Sequence, residues 1–291
     1  MKKRSIILIL ISVLLLAFVF SSCSINDADK DRQSGVPGNS TPSSKEITLV
    51  LDGANFTISD SEAFSTSGKT LTLTKAGTYR ISGTLTDGQI AVAVDKTKEV
   101  TLILDGLTAS NSTSGVLYIR SADKVTVELA AGSTNTLTDA EEYVYADSET
   151  KPNACLYSGE DLIIRGEGTL IVNGKFNNGI GTKNDLLIKG GTIEVHATNN
   201  GIKGNGSVTI ENGSITVDGV EDGIKSDNET RAEKGFVLIK GGNVNITCSD
   251  DAIQGITSVS IEGGLVTTHA GDKAINCDGL ISVADGCLVQ E

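Results

Sequence analysis

The stretch NNGIKGNGSVTIENGSITVDGVEDGIKSDN, residues 199–228, states one pattern twice. An Asx-Gly-Ile step at Asn200 returns at Asp222, 22 residues later. Between the two steps, Val, Ile and Thr alternate around an Asn-Gly pair. An alternation with a period of two predicts short strands, and Asx-Gly pairs predict tight turns. The stretch therefore predicts a unit of strand, turn and strand that the chain uses more than once.

The Asx-Gly-Ile step and its variants mark five successive units along the chain. They begin 22, 22, 29 and 22 residues apart, at Asn178, Asn200, Asp222, Asp251 and Lys273. A fixed period of about this length predicts a solenoid, in which each unit stacks on the previous one. No stretch after residue 46 shows a helical period. We therefore predict an all-β protein, a right-handed parallel β-helix with about 22 residues per coil.

Charged residues that precede the turn in the middle of each unit support this alignment. Their signs alternate from one unit to the next, at Lys189, Glu211, Lys240 and Glu262. Opposite charges on neighbouring strands are mildly stabilising. We expect a structural ladder of ion pairs at these positions.

Residues 1–22 predict a lipoprotein signal peptide. Basic residues at 2–4 precede an apolar run over 6–20, and two small serines precede Cys23, which is the pattern of an exported chain. The apolar run is shorter than the about 20 residues of a membrane-spanning helix. We expect Cys23 to carry the lipid that anchors an extracellular protein to the cell surface. The alternative is ordinary secretion with Cys23 as an unmodified thiol.

Residues 23–46 predict a disordered tether, because Ser, Asp, Asn, Gly and Pro leave too few apolar side chains for a core. The folded domain then covers residues 47–291. Its last unit stops at Glu291 without a polar closing turn. This predicts either a fragment or an end that stacks on another molecule.

The charge of the chain excludes several classes of partner. The formal net charge is −13, and removal of residues 1–22 takes away three positive charges and leaves −16. Such a surface does not attract nucleic acid or anionic lipid. An acidic partner would need bridging cations. The remaining cysteines show no CxxC or Cys/His metal spacing, and we expect them to pack in the core: Cys155, Cys248, Cys277 and Cys287.

Carboxylates collect at the Asx positions of the third and fourth units. Glu221 and Asp222 stand there in one unit, and Asp250 and Asp251 in the next. Like charges on facing positions are destabilising, so these side chains either turn to solvent or bind a cation. The insertion between the two units adds further oxygen ligands, at Asp227, Asn228, Glu229 and Glu233. Oxygen ligands in this number suit Ca²⁺ better than Mg²⁺. The alternative is a column of solvated Asx turns, and for residues 177–200 we predict an asparagine ladder.

Five segments, in order, resemble the calcium-containing, pectate-lyase-like β-helix carbohydrate-binding domain of clostridial surface proteins. They are GTYRISGTLTDGQIAVAVD (77–95), VTLILDGLTASNSTS (100–114), SADKVTVELAAGSTNTLTD (121–139), DGIKSDN (222–228) and KGFVLIKGGNVNIT (234–247). The resemblance implies a right-handed parallel β-helix, bound calcium, and binding of plant cell-wall polysaccharide, either acidic pectic chains or cellulose-like glucans. The family's acidic insertion falls on Asp222, Asp227, Asn228 and Glu229. Its second acidic loop falls on Asp147 and Glu149.

The composition favours capture by charge over capture by stacking. The chain has no Trp, and aromatic residues make up 4% of it, whereas flat sugar surfaces are bound by aligned aromatic faces. Tyr143, Tyr145 and Tyr157 offer a small platform. Lys203 and Lys225 follow the Asx positions by three residues, where they can contact uronate carboxylates. We predict a calcium-dependent surface module for uronate-containing polysaccharide.

Two other functions stay open. A polysaccharide lyase needs calcium to acidify the C5 proton of a uronate and a base to remove it, and Lys203 or Lys225 stands where such a base would lie. The structural interpretation of each lysine is an exposed cation that offsets the acidic column. The second alternative is a structural adhesin that assembles end to end.

Overall fold

The computed structural model describes residues 45–145, 151–219 and 221–291. Within these ranges all regular secondary structure is β-strand, as the sequence predicts. No helix of the described chain is long and apolar enough to cross a membrane. The predicted signal peptide, Cys23 and residues 23–44 of the predicted tether lie outside the described ranges, as do Asp147 and Glu149.

The strands are short, mostly of three to seven residues. In chain order they are β1 (Ile47–Gly53), β2 (Asn55–Ile58), β3 (Phe64–Ser67), β4 (Thr70–Leu73), β5 (Gly77–Leu85), β6 (Gln89–Ala93), β7 (Glu99–Ser110), β8 (Leu117–Ser121), β9 (Lys124–Leu129), β10 (Thr134–Thr138), β11 (Ala154–Ser158), β12 (Asp161–Gly166), β13 (Thr169–Gly174), β14 (Asn178–Thr182), β15 (Asp185–Ile188), β16 (Thr192–Ala197), β17 (Ile202–Gly204), β18 (Ser207–Ile210), β19 (Ser214–Gly219), β20 (Ile224–Lys225), β21 (Phe236–Ile239), β22 (Asn243–Cys248), β23 (Ile253–Gly255), β24 (Ser258–Ile261), β25 (Leu265–Ala270), β26 (Ile275–Cys277), β27 (Leu280–Val283) and β28 (Leu288–Gln290).

The strands form one sheet of eighteen and one sheet of ten. The smaller sheet runs β26-β23-β20-β17-β14-β11-β8-β6-β4-β3. Its neighbours are parallel from β26 to β4, and only the pair of β3 and β4 is antiparallel. In the larger sheet the hairpin of β1 and β2 is antiparallel, whereas its other neighbours are parallel. Parallel pairing of this extent requires the chain to return to the same end of the sheet before each new strand begins.

The Asx-Gly-Ile steps lie side by side in the smaller sheet. Ile180 pairs with Ile202, and Ile202 pairs with Ile224, both 22 positions further along the chain. Ile224 then pairs with Ile253 across the insertion, 29 positions away, and Ile253 pairs with Ile275. The spacing read from the sequence is therefore the register of the strands. Each Asx-Gly turn therefore lies against the equivalent turn of the next unit.

Alternation along each strand builds the core. In β19 every second residue is buried, so that Ile215 and Val217 point inward while Thr216 and Asp218 are exposed. The isoleucines of the Asx-Gly-Ile steps are fully buried from Ile180 to Ile253. Each isoleucine buried in this way contributes about 1.5–3 kcal/mol of transfer free energy. The core thus runs as columns of stacked aliphatic side chains between the two sheets.

The glycine of the Asx-Gly-Ile step is required by close packing. A Cβ atom built on Gly201 would lie 2.1 Å from Cγ1 of Val217, and one on Gly223 would lie 2.2 Å from Cγ2 of Ile246. Real Cβ atoms do not approach other carbons so closely. Glycine therefore lets the turn lie against the strand behind it, which a larger residue would push away.

The predicted charge ladder is formed over three of its four positions. Lys189 and Lys240 lie on either side of Glu211, with Nζ to Oε distances of 3.8 and 3.7 Å. Glu262 takes part in none of the ion pairs among the described residues. All of these side chains are substantially exposed, so each pair contributes little free energy. Their value is as a confirmation of the register.

The first strand begins at Ile47, where the folded domain is predicted to start, and the residue before it also contacts the domain. Arg80 Nε donates to Glu46 Oε1 at 2.7 Å, and Arg80 Nη2 donates to Glu46 Oε2 at 3.2 Å. The predicted tether ends at residue 46, but Glu46 is held against β5 by this two-pronged contact.

Candidate functional site

An asparagine ladder runs along the turns before β14 and β17, as predicted. Asn178 Nδ2 donates to the carbonyl of Asn153 at 3.0 Å, and Asn200 Nδ2 donates to Asn178 Oδ1 at 2.8 Å. An amide can donate and accept, so each asparagine satisfies the next. The ladder stops at Asn200, whose Oδ1 is buried without a hydrogen-bond partner in the described structure.

Beyond the ladder, three carboxylates meet at the same edge. Asp222, Asp250 and Asp251 each offer an oxygen, and these atoms lie within 4.8 Å of one another. Asp222 and Asp251 are both 2% exposed, whereas Asp250 faces solvent. The backbone fixes their spacing, because Gly223 N donates to the carbonyl of Asp251 at 3.0 Å. We call these three residues the carboxylate cluster.

One ammonium partly balances the carboxylate cluster. Lys225 Nζ donates to Asp222 Oδ2 at 2.6 Å. Asn276 Nδ2 donates to Asp251 Oδ2 at 2.6 Å, whereas Asp251 Oδ1 is buried and has no partner among the described residues. Desolvation and the nearby carboxylates of Asp222 and Asp251 raise the pKa of Asp250. Three carboxylates and one ammonium leave the cluster with two uncompensated negative charges.

The donor set of the cluster fits a hard divalent cation. Such ions take oxygen ligands from carboxylates and amides, and the carboxylates of Asp222, Asp250 and Asp251 would hold one here. The buried Asp251 Oδ1 lacks a donor, as does Asn200 Oδ1 in the neighbouring turn. Buried acceptors without a donor are costly. Either oxygen can coordinate a cation in place of a hydrogen-bond donor.

Five residues predicted to share this site do not join the cluster. Asp227 pairs instead with Lys203, at 2.6 Å, and accepts from Asn205 Nδ2 at 2.9 Å. Burial alone would raise the pKa of Asp227, but these two contacts lower it. Asn228 Oδ1 accepts from the backbone amides of Thr230 and Arg231 and so closes the insertion loop. The other three are solvent-exposed: Glu221, Glu229 and Glu233.

The two lysines predicted as exposed contacts are half-buried and paired. Lys203 and Lys225 are neighbours on β17 and β20, with side chains 24% and 20% exposed. Each ammonium lies 2.6 Å from a carboxylate, of Asp227 or Asp222. They offset the acidic residues, as the structural interpretation predicts, but they are not freely exposed. An ammonium held by a carboxylate is also poorly placed to act as a base.

The three predicted tyrosines do not form one platform. Tyr143 stacks on Phe176 with ring centroids 4.1 Å apart, and Tyr145 meets both rings edge-on. Tyr157 lies elsewhere, 9% exposed and 5.9 Å from the ring of Tyr118. Most of this aromatic surface packs within the protein. Tyr143 and Tyr145 are partly buried, and no ring contact among the described residues joins them to Tyr157.

A buried acid underlies one of the tyrosines. Asp139 is 3% exposed, and it accepts from the hydroxyl of Tyr143 and from the backbone amide of Lys175, both at 2.5 Å. Burial raises the pKa of Asp139 to about 6 in spite of these donors. It lies at an open cleft of about 730 Å³ that Asp87, Glu141 and other polar residues line.

A groove with basic side chains crosses the smaller sheet, and of its lining residues only Lys203 and Tyr157 were predicted as carbohydrate contacts. It consists of two adjoining cavities of about 210 and 350 Å³ that share Lys183. We call it the basic groove, because four of its lining residues are basic and one is acidic: Lys96, Arg120, Lys183 and Lys203 against Glu160. Tyr118 and Tyr157 also line it. In a chain with a net charge of −13, a basic surface is a local departure from the average.

Comparison with known proteins identifies the family of the chain. The family model described as "Carbohydrate-binding domain-containing protein" matches residues 67–288. A protein of that description from Acetivibrio thermocellus is 48% identical over 150 residues, which are 51% of this chain and 52% of that protein. The match thus spans about half the length of that relative.

A solved structure is similar over most of the chain. It is the polysaccharide lyase-like protein from C. thermocellum, as a gadolinium derivative, with a TM-score of 0.82 and 46% identity. The similarity covers 84% of this chain and 100% of the solved chain. With a family model that matches most of its length, the chain belongs to the family of carbohydrate-binding domain-containing proteins.

Proposed function

We propose that the protein is a cell-surface lipoprotein that captures uronate-containing plant polysaccharide with the help of bound calcium. The observation that carries the proposal is the carboxylate cluster. Oxygens of Asp222, Asp250 and Asp251 lie within 4.8 Å of one another, and one ammonium, that of Lys225, pairs with Asp222. A family that binds carbohydrate supplies the class of ligand. Capture without cleavage is the activity that we infer.

The proposed fold is a right-handed parallel β-helix with coils of about 22 residues. Support comes from the parallel pairing of residues 22 positions apart, as for Ile180 with Ile202 and Ile202 with Ile224. The similarity to a polysaccharide lyase-like structure with a TM-score of 0.82 agrees with it. In such a fold the turns of successive coils form one continuous edge, which places the carboxylate cluster beside the smaller sheet.

Calcium is the proposed cation for two reasons. The cluster offers only oxygen ligands, and Ca²⁺ accepts less regular arrangements of oxygens than Mg²⁺, which demands near-ideal octahedral geometry. The similar solved structure is a gadolinium derivative, and gadolinium is likewise a hard cation that prefers oxygen. Bound calcium would supply positive charge at an acidic edge, where uronate carboxylates could bind.

Each residue of the carboxylate cluster has a different proposed role in binding the ion. Asp222 and Asp251 are buried and would hold the ion, while exposed Asp250 would close the site from the solvent side. Lys225 holds Asp222 at 2.6 Å and would compete with the ion for that oxygen. The proposed ligand is an acidic pectic chain, with cellulose-like glucans as the neutral alternative.

A lyase is the second candidate, because the similar solved protein is called polysaccharide lyase-like. Catalysis would require a base near the bound uronate. Lys203 and Lys225 are the candidates, and both ammonium groups are bonded to carboxylates. This pairing favours binding without turnover over the lyase reaction.

One experiment separates these functions. Purified protein with Cys23→Ser, and so without lipid, is incubated with immobilised polygalacturonate in calcium or in chelator. We expect strong retention in calcium, weaker retention in chelator, and no unsaturated product. Steady formation of unsaturated uronide that Lys225→Ala abolishes would identify a lyase instead. Absence of retention in every condition would refute polysaccharide capture.

A further inference from the structure

We propose that the basic groove contains a metal-independent site for a carboxylate of an acidic sugar chain, and that Arg120 binds it. The inference rests on the proposed function and names a second contact for the same ligand. It differs from the carboxylate cluster in charge and in residues. The groove would bind a uronate directly, whereas the cluster would bind it through a cation.

A β-bulge sets the direction of Arg120. Along β6 and β8, Val92 pairs with Ile119 and Ala93 pairs with Ser121. Arg120 is therefore the extra residue that the ladder skips. Bulges re-aim the side chain of the extra residue and recur beside binding sites. Here the guanidinium carbon of Arg120 lies 5.1 Å from the centre of the Tyr118 ring, within the range of a cation–π contact.

Arg120 has no acidic partner among the described residues, in contrast to Arg80 and Arg165. Its Nε is buried and makes no hydrogen bond in the described structure. Arg80 bonds to Glu46, and Arg165 bonds to Glu128. A buried donor without an acceptor is costly and calls for a partner. A planar guanidinium with a free edge is the side chain best suited to a carboxylate.

The surroundings of Arg120 suit a carboxylate on a sugar. Lys183 lines the same cavity, is exposed, and has no ion-pair partner among the described residues. Lys96 is balanced by Glu160 at 3.2 Å. The free charges on this wall are therefore those of Arg120 and Lys183. Both are positive, and they face one cavity of about 210 Å³.

The adjoining cavity offers contacts for sugar hydroxyls. It is lined by Tyr157 and by uncharged polar side chains, Asn153, Asn178, Thr182 and Asn205. A concave site with one aromatic face and several amides is typical of carbohydrate recognition. The strands that carry Arg120 and Tyr157 are neighbours, about 4.8 Å apart. An acidic sugar chain can thus extend from Arg120 along the groove.

Calorimetric titration of the full chain, with Cys23→Ser, tests the proposal. Trigalacturonate and cellotriose are titrated in excess chelator, so that any calcium site is empty. We expect the wild type to bind trigalacturonate at least tenfold more tightly than cellotriose. Arg120→Gln should weaken trigalacturonate binding at least tenfold. Lys183→Gln should weaken it about twofold to fivefold, as for one exposed charge contact. Arg231→Gln, which removes an exposed positive charge from the insertion loop, should leave it unchanged.

Folding of the variants is checked in the same experiment. Because Arg120 Nε has no partner to lose, Arg120→Gln should melt at or near the wild-type temperature. Trigalacturonate in chelator should raise the melting temperatures of the wild type and of Arg231→Gln, but not that of Arg120→Gln. Should Arg120→Gln misfold, Arg120→Lys and Lys183→Gln provide the comparison, and each should bind more weakly than the wild type.

The two proposals fail in different ways. If the wild type in chelator binds trigalacturonate no better than cellotriose, or if Arg120→Gln binds like the wild type, the groove site is refuted. Calcium-dependent retention on polygalacturonate would then still support the proposed function. If the protein is retained on no polysaccharide and binds neither trisaccharide, the proposed function itself is wrong.

Discussion

Lys225→Gln should destabilise the protein much more in chelator than in calcium. Among the described residues, Lys225 provides the one ammonium within ion-pair distance of the carboxylate cluster. Glutamine keeps a similar length and a polar end but removes the charge. Without metal, Asp222 would then be left buried and unbalanced beside Asp251. With calcium bound, the ion supplies the positive charge and the lysine is no longer needed.

The magnitude follows from burial. Loss of one partner of a buried ion pair costs about 3–5 kcal/mol. Here Asp222 is 2% exposed and Lys225 is 20% exposed, so we expect about 2–3 kcal/mol. For a domain of this size 1 kcal/mol corresponds to about 2–4 °C, which gives a fall of about 4–12 °C in melting temperature. Calcium at a hundred times its Kd stabilises the folded state by about 2.7 kcal/mol, which is enough to offset this loss.

Thermal melts at pH 7 in chelator and in excess calcium measure the effect. Lys203→Gln is the matched control, because Lys203 lies on the neighbouring strand and pairs with Asp227 at the same distance of 2.6 Å. Asp227 lies outside the cluster, so this variant should lose the same stability in both conditions. Equal losses for Lys225→Gln in both conditions would refute the view that lysine and calcium share the cluster.

Three further outcomes test other parts of the structure. Ile202→Ala should cost about 2–5 kcal/mol in urea unfolding, since Ile202 is fully buried between two stacked isoleucines. Burial raises the pKa of Asp139 from 3.8 to about 6, so its protonated form stabilises the fold at low pH. This stability is present below pH 3.8 and lost as the pH rises through 6, by about 3 kcal/mol. The free energy of unfolding of Asp139→Asn should lack this component between pH 4 and 7, and an unchanged pH profile would contradict it. Cys23→Ser should release the protein from cell membranes into the medium, and a variant that stays in the membrane fraction would show that the apolar segment anchors the chain.

The arrangement of the strands could be predicted because it depends on local chemistry repeated at a fixed distance. Asx-Gly pairs form turns without help from the rest of the chain, and the distance between turns then sets which strands are neighbours. The charges of Lys189, Glu211 and Lys240 confirm the register for the same reason. The contact of Glu46 with Arg80, just before β1, is one that polar composition does not reveal.

The site could be predicted only in part, because side chains choose partners in three dimensions. Asp227 follows Asp222 by five residues, yet it bonds to Lys203 on the neighbouring strand. Asn228 closes its own loop instead of facing the cluster. Arg120 carried no signal at all, since its isolation comes from a bulge between β6 and β8. Pairing irregularities of this kind are invisible in a pattern of alternating residues.

The position of the carboxylate cluster follows from a change of one atom type along a single column of turns. Asn178 and Asn200 stack because an amide both donates and accepts. A carboxylate only accepts, so the ladder cannot continue into Asp222 and Asp251. At the point of change, Asn200 Oδ1 and Asp251 Oδ1 are both buried without a donor. Further asparagines would have kept the column self-sufficient, whereas aspartates make it depend on an external positive charge. Lys225 supplies part of that charge, and the remainder is what a bound cation would provide.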